Sequence, residues 1–258
     1  MITAGVDIGS TSSKVVILED GKEILSKVVI PVGAGSSGPT RAFEQAIREV
    51  DLSRGDIQKV IATGYGRTHF PDADRQITEI TCHARGVYEL VPGVQTIIDI
   101  GGQDAKAIGI GKGGTVSNFI MNDKCAAGTG RFLEVMSRIL EVNIEDLADL
   151  AASAQHEIMI SNTCTVFAES EVISQLSSGT PREDVAKGIV KSVVGRVAGL
   201  AKRVGIRSEV VMTGGVSLNW MIIKVMEQEL GVPVMAAPEA QVTGALGAAL
   251  FAYESAIK

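Results

Sequence analysis

Two cysteines, Cys125 and Cys164, have the sequence surroundings expected of a redox or metal site. Cys125 is followed by small residues and a Gly-Thr-Gly step, and apolar residues then recur at helical spacing from Phe132 to Leu140. Cys164 follows several residues that can cap a helix, and helical apolar spacing resumes at Val166. A helix N-terminus presents unpaired N–H groups and the positive end of the dipole, which favour a thiolate and any anionic cluster on it. The pattern therefore predicts two cysteines at two helix N-termini, serving one inorganic cofactor.

The composition restricts the class of protein. A chain of 258 residues with 45% apolar and 4% aromatic residues fits one large domain or two lobes with an aliphatic core. The net charge of −6 argues against a nucleic-acid partner, because no excess of Lys and Arg is present to neutralise phosphates. Apolar runs are shorter than a membrane span and the N-terminus lacks a signal-peptide layout, which predicts a soluble, cytoplasmic protein without a membrane partner. Three cysteines without short, regular spacing indicate reduced thiols or metal ligands rather than disulfides.

The first elements surround a loop that is suited to phosphate. Residues 2–8 and 15–18 predict the two strands of a hairpin, and a third strand is predicted over 24–30. The loop between the first two strands is rich in Gly and hydroxyl groups and ends in Lys14, so its N–H and O–H donors can surround phosphate oxygens. The spacing of a Walker A loop is missing. Such a hairpin is more often only a turn, so this loop alone does not identify a phosphate site.

An internal repeat strengthens the case. Residues 6–9 recur as 98–101, and the same offset of 92 (99 − 7) carries Lys14 onto Lys106 and one turn glycine onto another. A strand, an aspartate, a glycine, a lysine and a turn glycine that all match indicate two related lobes.

These observations predict an α/β protein of two lobes, residues 1–92 and 93–258, with the last helix packing back on the first lobe. Each lobe would be a mixed sheet flanked by helices, with a nucleotide cleft between the lobes. Asp7 and Asp99, each at a strand end, would provide two carboxylates for a hydrated Mg²⁺.

Other elements place the remaining candidates. Helices are predicted over 39–50, 77–90, 144–154, 165–177, 182–204 and 243–252, and strands over 59–62, 116–121, 158–160 and 232–236, with another from 210. On the second of these helices, the pattern favours Cys82 as a packed core residue and His83 as a surface residue. The strand from 210 runs into Gly214 and Gly215, where backbone can approach a flat ligand such as adenosine, and Gln241 is a candidate to border that nucleotide.

The motifs together resemble a known family. The paired Asp-Ile-Gly hairpins and the late Thr-Gly-Gly turn resemble the actin, sugar-kinase and heat-shock-chaperone ATPase superfamily, which implies an actin-like (ribonuclease H-like) fold for both lobes. Residues 122–132 and 161–171 strongly resemble the ATP-dependent activator, or component A, of 2-hydroxyacyl-CoA dehydratases, a branch related to the benzoyl-CoA reductase ATPase subunits. The resemblance covers nearly the whole chain and is loosest in 32–56 and 143–157.

The resemblance implies a 4Fe-4S cluster. A cubane needs four protein thiolates, whereas this chain offers two well-placed cysteines, so a homodimer is expected in which Cys125 and Cys164 of each copy share one cluster. The implied activity is an ATPase that takes a low-potential electron from ferredoxin or flavodoxin and passes it to a 2-hydroxyacyl-CoA dehydratase.

The resemblance and the repeat together imply a nucleotide site. Gln103, and less so Asp104, is the candidate to orient the attacking water, because phosphoryl transfer depends mainly on placement and charge neutralisation. The other candidates hold phosphates, Mg²⁺ or adenosine: Asp7, Gly9, Ser10, Thr11, Ser12, Ser13, Lys14, Asp99, Gly101, Gly102, Gly214, Gly215 and Gln241.

Two alternatives stay open at this point. A small-metabolite kinase of the same superfamily would use Asp104 as a base and would have no need of Cys125 and Cys164. A nucleotide-dependent protein-binding module without a redox role is the other. Iron content distinguishes both from the activator.

Overall fold

The computed structural model describes residues 1–257, which form two compact units. Unit 1 comprises residues 1–94, 110–117 and those from Ala237 onward, and unit 2 comprises residues 95–109 and 118–236. The sequence-based domain boundary at residues 92–93 stays a prediction.

Unit 1 is built on a five-stranded sheet. Elements are numbered along the chain: β1 (Ile2–Ile8), β2 (Ser13–Glu19), β3 (Glu23–Ile30), β4 (Lys59–Thr63), β5 (Arg75–Gln76), α1 (Gly38–Glu49), α2 (Glu79–Leu90) and α8 (Thr243–Ala256). The sheet order is β3-β2-β1-β4-β5, with antiparallel pairing from β1 to β3 and parallel pairing of β4 with β1. β2 and β4 are rich in Val and Ile, whose branched side chains suit a buried pleated surface.

Glycines let α8 approach its neighbours closely. A Cβ on Gly5 of β1 would overlap the Ala245 carbonyl oxygen and the Ala249 nitrogen of α8. A Cβ on Gly247 of α8 would overlap the backbone carbonyl of Cys82 in α2. The C-terminal helix is therefore part of the core of unit 1, in backbone contact with its first strand and with α2.

Unit 2 is built on a second sheet of the same layout. Its elements are β6 (Thr96–Ile100), β7 (Ala105–Ile110), β8 (Val116–Asn122), β9 (Val210–Thr213), β10 (Val234–Ala236), α3 (Gly130–Ile139), α4 (Leu147–Ala152), α5 (Thr165–Ser177), α6 (Arg182–Val204) and α7 (Trp220–Leu230). The order is β10-β9-β6-β7-β8, so β6 lies between an antiparallel partner, β7, and a parallel partner, β9, as β1 does between β2 and β4.

One apolar core joins this sheet to its helices. Ile98 and Ile100 of β6 pack with Phe132 and Met136 of α3 and with the buried face of α6. These four side chains are fully buried, and each contributes about 1.5–3 kcal/mol to folding through removal from water. Among the described helices, residues 1–257, none is both long and apolar enough to cross a bilayer.

Most predicted elements are confirmed, and α5 and α6 have the predicted bounds. The strand predicted over 158–160 is wrong, since these residues form no strand and Ile158 and Ile160 instead lie against Gly188 of α6. The surface position predicted for His83 is also wrong. His83 is 7% exposed, with Nδ1 3.1 Å from Thr243 Oγ1, because α8 covers the helix face that a local pattern leaves open.

The close packing of α8 is testable with one methyl group. We expect Gly247→Ala to lower the free energy of unfolding by about 1–3 kcal/mol, because the added Cβ collides with the α2 backbone rather than with a flexible side chain. Urea unfolding followed by circular dichroism measures the change. Gly199→Ala is the matched control, since it adds the same methyl to α6 in open space. Equal stability of the two variants would contradict the described contact.

Candidate functional site

The repeat in the sequence is also a repeat in geometry. Asp7 lies opposite Lys14 in the β1–β2 pair, and Asp99 lies opposite Lys106 in the β6–β7 pair. The carboxylate Oδ2 is 3.4 Å from the lysine Nζ in the first hairpin and 3.0 Å in the second. All four residues except Lys14 are buried. Each unit therefore holds one aspartate of fixed orientation at the end of its central strand.

A threonine that sequence analysis did not assign completes the second of these sites. Thr213 is the register partner of Asp99, as Thr63 is of Asp7. The Thr213 hydroxyl donates to Asp99 Oδ1 at 2.7 Å. Gly214 follows with φ of +83°, and a Cβ there would lie 3.2 Å from Asp99 Oδ1, so the position favours glycine. The signal was present in the sequence, because a Thr-Gly step follows a buried strand at both places.

The hydroxyl-rich loop of unit 1 is folded tightly. The Gly9 N–H donates to the Ser12 carbonyl at 3.0 Å, and residues 10–12 are half-exposed. Ser13 is buried, and its hydroxyl donates to the Val32 carbonyl at 2.8 Å. Residues 10–12 thus keep donors available for an anion, whereas the Ser13 hydroxyl proton is already engaged.

The corresponding turn of unit 2 separates the two candidates for orienting water. The Gly101 N–H donates to the Asp104 carbonyl at 2.9 Å, which closes the turn. Asp104 Oδ2 lies 2.8 Å from the buried Nζ of Lys106. The Gln103 side chain is exposed. An exposed amide suits the positioning of a water molecule better than a carboxylate held by an internal cation.

This turn is hydrogen-bonded to the start of α3. The Gly130 N–H donates to the Gly101 carbonyl at 2.9 Å, and the Arg131 N–H donates to the Gly102 carbonyl at 2.8 Å. These amides are among those a helix N-terminus leaves unpaired. A displacement of residues 101–102 therefore acts directly on α3 and on the loop that precedes it.

The two cysteines lie in adjacent loops of unit 2. We call residues 123–128 the Cys125 loop and residues 153–164 the Cys164 loop. Both thiols are half-exposed, and Cys125 Sγ is 3.9 Å from the Thr163 carbonyl oxygen. Cys164 lies at a helix N-terminus, as predicted, and is itself the N-cap residue of α5. Cys125 lies farther from its helix than predicted, because the loop continues to the N-cap Thr129.

Side chains hold both loops. Asn122 Nδ2 donates to the Cys125 carbonyl at 2.8 Å and to the Ala127 carbonyl at 3.3 Å. Glu171 Oε2 accepts the Ser161 N–H at 2.6 Å. The backbone around each thiol is therefore fixed by a polar side chain outside its loop.

The donor set of one copy fits half of a four-thiolate site. Residues 1–257 contain no group of three or more His, Cys, Asp or Glu side chains that could hold a metal ion. Cys125 and Cys164 supply two soft sulfur donors from neighbouring loops, which is the ligand type that iron–sulfur clusters require. Thr165 Oγ1, next to Cys164, is buried without a hydrogen-bond partner among the described residues. One chain therefore offers two of the four thiolates that a 4Fe-4S cluster takes.

An open, mainly apolar cavity of about 670 Å³ lies beside the start of α7, a few residues after the glycine pair that follows β9. Gly214 is half-exposed and Gly215 exposed, and the cavity beside their turn is lined by Leu218, Trp220 and Ile223, among others. Such a lining suits the face of a nucleobase. Gln241, half-exposed just before α8 in unit 1, stays a prediction.

The third cysteine differs from the other two in reactivity. Cys82 is fully buried, and burial raises the pKa of its thiol to about 12. At pH 8 the Cys82 thiol is therefore protonated and inaccessible, whereas Cys125 and Cys164 are partly exposed. We expect iodoacetamide to label two thiols per metal-free chain and to reach Cys82 only after unfolding. Peptide mass spectrometry measures this, and rapid labelling of Cys82 in the folded chain at pH 8 would contradict it.

Comparisons with known proteins agree with this geometry. A family model described as the BadF/BadG/BcrA/BcrD ATPase family matches residues 4–252. The chain is 56% identical over 258 residues to the activator of lactoyl-CoA dehydratase from Anaerotignum propionicum, covering 100% of both chains. It also matches the structure of the activator of the 2-hydroxyisocaproyl-CoA dehydratase from Clostridium difficile with bound ADPNP, with a TM-score of 0.96, 50% identity and coverage of 100% and 96%. A ROK family glucokinase from Streptomyces griseus, at 16% identity, a TM-score of 0.60 and coverage of 98% and 100%, shares the fold alone and confirms the expected actin-like class.

Proposed function

Because the chain belongs to the BadF/BadG/BcrA/BcrD ATPase family, we propose that it is an ATP-hydrolysing activator of a 2-hydroxyacyl-CoA dehydratase. The single observation that carries this proposal is the 56% identity, over the full length of both chains, to an activator of that class. The resemblance inferred from residues 122–132 and 161–171 points to the same activity.

The two hairpins bind the nucleotide. Residues 10–12, Lys14 and the turn at Gly101 and Gly102 hold phosphates, and Gln103 orients the water that attacks the terminal phosphate. The Ser13 hydroxyl instead stays bonded to the Val32 carbonyl. Asp7 and Asp99 hold Mg²⁺ mainly through water, in keeping with the hydrogen bonds that Asp99 already accepts from Thr213 and Lys106. Mg²⁺, when bound, neutralises charge that develops on the phosphate oxygens. ATP and water yield ADP and phosphate.

The thiols hold an iron–sulfur cluster. Cys125 and Cys164 of two copies supply the four thiolates of one 4Fe-4S cluster, so the active form is a homodimer. The cluster, when bound, supplies one-electron redox chemistry. The protein takes a low-potential electron from ferredoxin or flavodoxin and delivers it to the dehydratase in the cytoplasm of an organism that ferments anaerobically.

Nucleotide hydrolysis and thiol geometry are coupled within unit 2. The support is the pair of hydrogen bonds from Gly130 and Arg131 to the turn at Gly101 and Gly102. If the phosphates move this turn, α3 and the Cys125 loop move with it. Free energy from ATP hydrolysis then changes the protein environment of the cluster thiols.

A small-metabolite kinase is the second candidate, and the shared fold with a glucokinase is its only support. Asp104, which that reaction would use as a base, is paired with Lys106.

Anaerobic reconstitution with iron and sulfide tests the proposal. We expect about four irons per dimer, a brown protein absorbing near ~400 nm, and ATP-dependent activation of a 2-hydroxyacyl-CoA dehydratase. Colourless protein that phosphorylates a small molecule would establish the kinase instead.

A further inference from the structure

Helix α6 runs along the Cys164 loop and binds its backbone at two places. Near the start of the helix, Asp184 Oδ1 accepts the N–H groups of Gln155 and His156, both at 2.9 Å. Two turns later the hydroxyl of Ser192 donates to the Ser161 carbonyl at 2.9 Å. The loop has no regular secondary structure of its own, so these bonds from α6, together with the bond from Ser161 to Glu171 of α5, hold its backbone in place.

Glycines between and beyond these anchors bring the loop against the helix. A Cβ on Gly188 would lie 3.0 Å from the Cγ1 atoms of Ile158 and Ile160. A Cβ on Gly195 would lie 3.4 Å from Asn162 Nδ2. Positions 184, 188, 192 and 195 are three or four residues apart and share one helix face. That face follows the loop from its first residues almost to Cys164.

The next turn of the same helix contacts the Cys125 loop. Arg196 Cγ lies 2.8 Å and Val197 Cγ2 lies 3.4 Å from the position of a Cβ on Gly128. One rigid helix therefore contacts both loops, which meet where Cys125 Sγ approaches the Thr163 carbonyl.

We propose that α6 fixes the spacing of the two thiols and that Gly188 and Ser192 are positioning residues for the metal site. This rests on the proposed function, since it assigns a role toward the cluster that Cys125 and Cys164 hold. Residues that orient ligands without touching the metal typically change metal affinity by about 10- to 100-fold when they are replaced. Here the ligands sit on loops, so the helix supplies the rigidity that the loops lack.

Two variants that each add one methyl group to α6 test the positioning role of Gly188. Gly188→Ala forces the Cys164 loop outward by a few tenths of an ångström, whereas Gly199→Ala adds the same group to the same helix in open space. In reconstituted protein we expect Gly188→Ala to release iron to a chelator about 10-fold faster than wild type and to change the electron paramagnetic resonance line shape of the reduced protein. Gly199→Ala should match wild type in both measurements.

The role of the Ser192 hydroxyl is tested by one variant that removes it and one that keeps it. Ser192→Ala removes the donor to the Ser161 carbonyl and should also release iron about 10-fold faster, while Ser192→Thr keeps the hydroxyl and should restore most of the wild-type rate. If Gly188→Ala unfolds, as judged by circular dichroism, the Ser192 pair decides the question.

Metal-free protein separates this inference from the proposed function. In that form, iodoacetamide should alkylate Cys125 and Cys164 at a different rate ratio in Gly188→Ala and Ser192→Ala than in Gly199→Ala. Wild-type protein that binds no iron would overturn the proposed function, yet the alkylation ratio would still report on α6. The positioning role is overturned if iron release, line shape and alkylation ratio are the same in all folded variants.

Discussion

Replacement of Cys164 with alanine should leave anaerobically reconstituted protein with almost no bound iron. One cluster takes four thiolates, and a dimer of this variant keeps only the two Cys125 thiols. Two thiolates cannot retain a cubane against a chelator, so we expect iron to fall from about four to below about 0.5 per dimer. ATP-dependent activation of the dehydratase should be lost with it. Iron and sulfide assays on gel-filtered protein measure the first effect, and a coupled dehydratase assay measures the second.

Nucleotide binding should survive this change. Cys164 caps α5, whereas the Asp99 hairpin is closed by its own hydrogen bonds and by Lys106. Cys82→Ala is the control, because it removes a thiol that is buried in the core, and it should leave the iron content unchanged. A Cys164→Ala protein that keeps four irons per dimer would show that the sulfur ligands lie elsewhere.

The second large effect is expected at the aspartate of unit 2. Asp99→Asn should lower kcat/KM for ATP hydrolysis by about 100-fold or more, because a neutral amide cannot hold the water shell of Mg²⁺ as a carboxylate does. The side chain keeps its shape and can still accept the hydrogen bond from Thr213. Phosphate release at several Mg²⁺ concentrations measures the loss, and the Mg²⁺ requirement should rise.

A comparison of neighbouring carboxylates sharpens this test. Asp104→Asn should lower kcat/KM for ATP hydrolysis less than Asp99→Asn does, since Asp104 pairs with Lys106 and Gln103 is the exposed side chain of the turn. Glu145→Gln, on the exposed surface of unit 2, removes one charge and should leave hydrolysis unchanged. If Asp99→Asn hydrolyses ATP at the wild-type rate, the assignment of the two hairpins to the nucleotide is wrong.

Sequence reasoning succeeded where the signal was local or repeated. The helical spacing in residues 165–177 and 182–204 gave both helices with their observed ends. The offset of 92 matched Asp99 to Asp7 and Lys106 to Lys14, and the structure shows the same Asp–Lys register in both hairpins. The family resemblance carried by residues 122–132 and 161–171 is confirmed by the family model over 4–252.

Sequence reasoning failed where contacts between segments that are distant along the chain determine the local structure. The apolar residues 158–160 look like a strand, but Ile158 and Ile160 pack against Gly188 of α6, which lies about 30 positions along the chain. His83 has a surface pattern on its own helix and is buried by α8, which begins 160 residues later. Thr213 and Thr63 each carry the sequence signal of a Thr-Gly step after a buried strand, and the sheet register adds that they lie beside the two aspartates.

The place of α8 in unit 1 has a consequence during protein synthesis. The strands of this unit leave the ribosome first, but α8 begins 153 residues (243 − 90) after α2 ends. β1 ends 235 residues (243 − 8) before α8 begins. At typical elongation rates of about 5–20 residues per second, the face of β1 that packs against α8 therefore stays uncovered for about 12–47 seconds. The N-terminal half is therefore the vulnerable part of the nascent chain, and truncation before residue 243 should yield material that needs a chaperone to remain in solution.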